Sequence, residues 1–203
     1  MTRRRSKYRS LVSLQRDNAR CRLCIEAGYT LGSWPVFEGH AGQKAYLLGQ
    51  APGILEGEER RPWRGRAGRS LRRWLQLDEE AFYGTFYCAS VTRCYPGKHP
   101  SGRGDRPPTA REQALCAPWR AFELNVLQPA LIVTVGGIAS QRLLGVKTMS
   151  ETIGKSFVLD GSIVVPLPHP SGASGWLNEE QNRARLGKAL THIRRELASL
   201  DSD

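Results

Sequence analysis

The chain has 203 residues and carries 30 Lys and Arg against 19 Asp and Glu, a formal net charge of +11. That length suits one domain with a core of its own, and 40% apolar with 24% charged residues is globular composition, not disorder. No apolar run approaches the ~18 residues of a membrane span, and the basic start MTRRRSKYRS lacks the apolar section of a secretion signal, so a cytoplasmic protein is expected.

Residues 1–16 hold six basic residues (Arg3, Arg4, Arg5, Lys7, Arg9, Arg16) and no acid, which reads as a flexible arm ahead of a single domain over 17–203. Four continuous apolar runs, Ala45–Gly49, Phe86–Thr92, Ala130–Val135 and Ile163–Leu167, predict parallel strands covered on both faces. Between the first two, residues 60–73 hold seven arginines threaded with Pro62, Trp63, Gly65 and Gly68. Glycine admits close approach of a ligand, arginine holds phosphate and an indole offers a stacking face, so nucleic-acid contact is expected there. A solvated basic face with Trp63 in the core is the plainer alternative.

Ala67–Leu77 carries Leu71, Trp74 and Leu75 at helical spacing. Residues 96–108 (PGKHPSGRGDRPP) read as a mobile polar loop. Thr109–Leu127 opens on a Thr109-x-x-Glu112 capping box, and Pro118 inside it predicts a kink or a split. Gly137–Leu144 is a short helix, and a last one from near Asn178 places Leu186, Leu190, Ile193 and Leu197 in one stripe. Strands alternating with helices predict a three-layer α/β/α domain around a central, mainly parallel four-stranded sheet. Ligands of such sheets bind beyond the carboxyl ends of the strands. The expected site therefore lies among residues 49–53, 90–94 and 168–172.

Of the five cysteines, Cys88 falls inside a strand run and reads as a small buried hydrophobe. Cys21-x-x-Cys24 with Cys94 and Cys116 reads as one metal site, for which zinc and an iron–sulfur cluster are both suitable.

Gly49-Gln50-Ala51-Pro52-Gly53, Arg61-Pro62-Trp63-Arg64-Gly65-Arg66-Ala67-Gly68, Ser90-Val91-Thr92-Arg93-Cys94 and His169-Pro170-Ser171, in this order and spacing, resemble the uracil-DNA glycosylase superfamily. The resemblance is to its iron–sulfur branch, family 4, with family 5 a near relative, and it runs from Cys21 through the last helix. It implies a [4Fe–4S] cluster on Cys21, Cys24, Cys94 and Cys116, and a DNA partner containing a damaged base, bound by a monomer. By the same resemblance Trp63 stacks on a flipped base, Ala51 and Gly53 approach it, and His169 stabilises the leaving base. Arg64, Arg66, Ser171 and Gly172 would grip the DNA, and the residues from Gly172 to Trp176 could wedge into the duplex, although Trp176 reads equally as packing.

Two positions depart from the family. Gln50 stands where an acid is common, and a neutral amide can orient a water but not supply charge. Ser90 stands in place of the base-reading Asn, and a hydroxyl cannot make the bidentate match of an amide. The expected function is hydrolysis of the N-glycosidic bond of uracil or another deaminated base. The rivals are a non-catalytic DNA-binding or damage-sensing protein on the same fold and a zinc-stabilised nucleotide-binding module.

Overall fold

A computed structural model describes residues 7–146, 148–149, 152–171 and 175–200. In chain order the elements are α1 (Leu11–Ala19), α2 (Leu23–Glu26), β1 (Ala45–Gly49), α3 (Ile54–Glu59), α4 (Arg66–Leu75), α5 (Glu79–Thr85) and β2 (Phe86–Ser90). There follow α6 (Ala110–Leu127), β3 (Leu131–Val135), α7 (Gly137–Leu144), β4 (Phe157–Leu159), β5 (Ser162–Leu167), a 3-10 turn (Trp176–Asn178) and α8 (Glu180–Leu200). The strand order is β2-β1-β3-β5-β4, with the first four parallel and β4 antiparallel on the edge.

Because side chains alternate along a strand, each of these strands feeds two cores. Leu47 of β1 and Leu131, Val133 and Val135 of β3 pack with Leu71, Phe82, Leu186 and Ile193 of α4, α5 and α8. Tyr46 and Leu48, with Ile132 and Val164, pack with Leu11, Leu14 and Ala139 and against Trp119 and Phe122, beneath α1, α6 and α7. This is the three-layer α/β/α arrangement read from the sequence.

Four differences from the sequence reading have local causes. The sheet has five strands, not four: β4 is three residues long with no fully buried position, an apolar run too short to read as a strand. Its signal was the Asp160-Gly161 turn into β5, where both residues have positive φ (50° and 91°), the geometry that closes two-residue hairpins. The stretch read as a flexible arm is packed from Tyr8 onward. Ser10 caps α1, its Oγ accepting from the Ser13 backbone N–H, and Tyr8, Leu11 and Leu14 are buried. Tyr8 meets Phe122 of α6 edge-on at 5.1 Å between ring centroids.

The polar segment 96–108 is a hairpin in which Lys98 pairs with Asp105. The His99 N–H donates to the Gly104 carbonyl and the Arg106 N–H to the Gly97 carbonyl, both at 3.0 Å. Finally, α6 is a single helix across Pro118 and is not split there. Its capping box forms as expected, with Glu112 accepting from the Thr109 N–H at 2.7 Å and Thr109 Oγ1 accepting from the Glu112 N–H at 3.2 Å.

A buried ion pair ties the layers together. Glu123 of α6 accepts from Arg93, beyond β2, and from the hydroxyls of Tyr46 (2.5 Å) and Tyr87 (3.3 Å), whose rings stack in β1 and β2. Asn18 of α1 donates to the same carboxylate at 3.3 Å. Removing one member of such a pair leaves the other charge buried and uncompensated. Glu123→Ala is expected to lower unfolding stability by about 3–5 kcal/mol in urea titration, far more than truncation of an exposed glutamate such as Glu58.

Candidate active site

β1 and β2 end in register, Gly49 opposite Ser90, and their following residues stay paired. Val91 N–H donates to the Gly49 carbonyl (2.9 Å) and Thr92 N–H to the Gln50 carbonyl (3.2 Å). Half-buried Gln50, Ala51 and Gly53 therefore leave the sheet alongside residues 91–94.

Trp63 closes over this point. A methyl group on Gly49 would lie 2.9 Å from Trp63 Cζ2 and 3.5 Å from Ser90 Oγ, so glycine is what admits the indole beside the serine. The Ser90 side chain is nearly buried and its hydroxyl has no hydrogen-bond partner among the described residues, which leaves it available to a ligand. Trp63 itself has φ of 62°, a conformation that costs a bulky residue free energy and persists where its surroundings hold it. Here Arg72 donates to the Trp63 carbonyl at 3.1 Å, Tyr83 donates to the Pro62 carbonyl at 2.5 Å, and a Cβ on Gly68 would strike the Trp63 carbonyl oxygen. Trp63 also rests partly on the core, so the stacking and packing readings of this residue are compatible.

The arginine-rich segment is less cationic than its sequence. Arg61 is held by Glu38 through two bonds (2.8 and 3.0 Å), Arg64 by Glu59 (2.6 Å) and Glu79, and Arg72 by Glu79 (3.3 Å). Arg64, expected on DNA, thus has two carboxylate partners that hold its pKa above the ordinary value, chiefly through the Glu59 hydrogen bond. Arg66 is exposed at the start of α4, with no carboxylate partner among the described residues.

Glu56, which sequence reasoning missed, joins the two loops. Its carboxylate accepts from the Gly53 N–H at 3.1 Å and from the Gly65 N–H at 2.8 Å. The Gly53-x-x-Glu56 spacing at a helix start was the available signal.

His169 follows β5, two strands from β1, which is about 10 Å at the usual strand spacing. It packs on the turn after β3: a Cβ on Gly136 would lie 3.6 Å from His169 Cδ2. The Ser171 N–H donates to His169 Nδ1 at 3.3 Å, which places the ring proton of the neutral imidazole on Nε2. His169 is exposed, and the partial desolvation from its packing on the turn after β3 lowers its pKa from the ordinary value. Ser171 is exposed beside it, and the expected contact at Gly172 lies outside the described residues. Trp176 packs against the core beside α8.

Cys21, Cys24, Cys94 and Cys116 line one pocket, also walled by Asn18, Thr92, Arg93 and Trp119. None is in a disulfide, and Cys88 is apart from them, buried in β2. Burial and the neighbouring thiols push Cys24 up to about 11 and raise Cys94 and Cys116 as well. Ionised sulfurs here therefore require a cation. Trp119 Nε1–H donates to Cys21 Sγ at 3.2 Å and the Arg93 N–H to Cys116 Sγ at 3.3 Å, the type of bond that supports metal-bound thiolate. Three buried polar atoms have no partner among the described residues, Asn18 Oδ1, Thr92 Oγ1 and Arg93 Nη1, and all three belong to this pocket's walls. Among the described residues no three His, Cys, Asp or Glu side chains close on a single ion. The donor set and the orphaned atoms fit a polar, thiolate-bound group.

Residues 37–194 match the Uracil DNA glycosylase superfamily. A Type-4 uracil-DNA glycosylase of Thermotoga maritima is 30% identical over 139 residues, 67% of this chain and 69% of that protein. One from Sulfurisphaera tokodaii is 24% identical over 173 residues (81% and 76%), and one from Pyrobaculum aerophilum 29% over 108 (53% and 51%). The matched span holds the Gln50 loop, Trp63, Ser90 and His169, the residues that converge on the carboxyl edge of the sheet, and the chain belongs to the uracil DNA glycosylase superfamily.

Proposed function

We propose that this chain is a DNA glycosylase that hydrolyses the N-glycosidic bond of uracil or another deaminated base flipped out of DNA. The observation that carries the reading is the meeting of the Trp63 indole and the unpartnered Ser90 hydroxyl at Gly49, with His169 on the same sheet edge. A base inside a duplex is inaccessible, so the enzyme must extrude it into such a slot. Trp63 stacks on the extruded ring and Ser90 bonds its polar edge. His169 Nε2–H donates to the base oxygen on which charge gathers as the base departs, a bond that strengthens toward the transition state. Gln50 orients water. Ser171 fixes the tautomer that makes His169 a donor. Because Ser90 can donate or accept, it supports a wider range of deaminated bases than an amide would.

The four thiols that line one pocket, with N–H donors aimed at two of their sulfurs, support a [4Fe–4S] cluster on Cys21, Cys24, Cys94 and Cys116. Its role is structural, cross-linking α2, the segment after β2 and α6. Purified protein should show broad visible absorption with iron and inorganic sulfide in equal amounts, and a colourless, zinc-loaded preparation would contradict this assignment.

The exposed cations, with Arg66 foremost, grip the DNA backbone. The rival from another class, a damage-binding protein without turnover, draws on Gln50 and Ser90. Duplexes carrying uracil, hypoxanthine or xanthine, incubated with excess protein and cleaved with alkali, decide between them: strand breaks are expected on at least one, and none on any alongside normal binding would sink the enzyme reading. His169→Ala should slow base release about 10²–10³-fold with little change in DNA affinity, and an equal loss in both would remove the role given to this residue.

A further inference from the structure

The site contains a carboxylate that its first loop does not supply. Gln50 is neutral, yet a departing anionic base leaves cationic character on the sugar, and an attacking water must shed a proton. Glu38, Glu59 and Glu79, around the arginine-rich segment, are paired with arginines. Both Glu56 oxygens accept backbone N–H groups.

Asp105 is different. It stands on the returning strand of the hairpin around residues 97–106, paired with Lys98, and its side chain points back at the Gln50 loop. A Cβ on Gly53 would lie 3.2 Å from Asp105 Oδ2. The other oxygen, Oδ1, accepts from the Tyr95 hydroxyl at 2.8 Å, whereas Oδ2 has no hydrogen bond and no basic side chain at ion-pair distance among the described residues. Asp105 is exposed, so Oδ2 is open to solvent and to a bound ligand at this rim while Tyr95 holds Oδ1.

The support behind Asp105 is rigid. Tyr95 is nearly buried, its N–H donates to Ser33 Oγ at 2.8 Å, and its carbonyl accepts from the Gly32 N–H at 2.9 Å. Side chains at Gly32 or Gly57 would press on it, with Cβ atoms 2.4 Å and 3.3 Å from Tyr95 Cδ1 and Cβ. Burial and the Asp105 carboxylate push the Tyr95 hydroxyl up to about 12, so it remains a donor and orients Asp105 across the working pH range.

We propose that Asp105 is a further catalytic residue of this site, its Oδ2 facing the water or sugar beside the Gly53 loop and supplying the negative charge that Gln50 lacks. The inference rests on the glycosylase reading. In the step it serves, the C1′–N bond breaks with its electron pair on the base and the water oxygen bonds to C1′. The proton that the water sheds passes to Asp105 Oδ2 and onward to the departed base, restoring the carboxylate.

The test is single-turnover release of whichever base the wild-type chain excises. Asp105→Asn keeps the shape and the Tyr95 bond and should slow release about 10²-fold, while binding of undamaged duplex is unchanged or tighter because a negative charge has gone. Adding Gln50→Glu to that variant moves a carboxylate to the first loop and should restore most of the rate, which a structural role for Asp105 would not allow. An unchanged rate in Asp105→Asn, or a loss that Gln50→Glu does not relieve, overturns the proposal and leaves the glycosylase reading standing. No release by the wild-type chain from any damaged duplex overturns both.

Discussion

The buried Glu123 carboxylate is the interaction on which the rest of the structure hangs. It gathers donors from α1 (Asn18), β1 (Tyr46), β2 (Tyr87) and the segment beyond β2 (Arg93), so one side chain of α6 fixes how a whole face of the sheet is covered. Taking Glu123 and Arg93 out of water is costly, and the arrangement stands because nearly every polar atom in it finds a partner. Its position also matters for the chemistry. Arg93 lies between Ser90, beside Trp63 at Gly49, and Cys94, in the cysteine pocket, and its own N–H donates to Cys116. The ion pair therefore anchors the end of β2 and the thiol pocket together.

Local carboxylates divide the net charge of +11 into different jobs. Arg61, Arg64 and Arg72 are paired with Glu38, Glu59 and Glu79, and Arg72 also bonds the Trp63 carbonyl in the left-handed turn over Gly49. Arg60, Arg66 and Arg69 are exposed, with no carboxylate partner among the described residues. A run of arginines in one stretch of sequence is thus part scaffold and part exposed cation. Glu56 bonds the Gly53 and Gly65 backbones, so it ties the loop after β1 to the arginine-rich segment.

Much of this was legible from sequence because the signals were local. Continuous apolar runs gave the four parallel strands, the Thr109-x-x-Glu112 box marked the start of α6, and the unusual residues after each strand fell on one edge as the rule for open parallel sheets requires. What escaped reading depends on distant partners or on short elements. β4 is too brief and too exposed to show periodicity, and α1 was hidden because the surrounding basic residues outweighed the face formed by Tyr8, Leu11 and Leu14. The pairing of Arg64 with Glu79 and the approach of Asp105 to Gly53 join residues that no local pattern connects. The hairpin over 96–108 read as loop because glycine, proline and charge dominate it, yet its backbone pairing and the Asp105–Tyr95 bond fix it.

The central claim is that the carboxyl edge of the sheet, between Trp63 and His169, receives an extruded base. A structure of the protein with a duplex holding an uncleavable, fluorinated deoxyuridine tests it most directly. The account predicts the uracil ring outside the helix, stacked on Trp63, with Ser90 on its edge and His169 Nε2 within hydrogen-bond distance of a ring oxygen. A uracil still stacked in the duplex, or one bound away from Gly49 and His169, would contradict it.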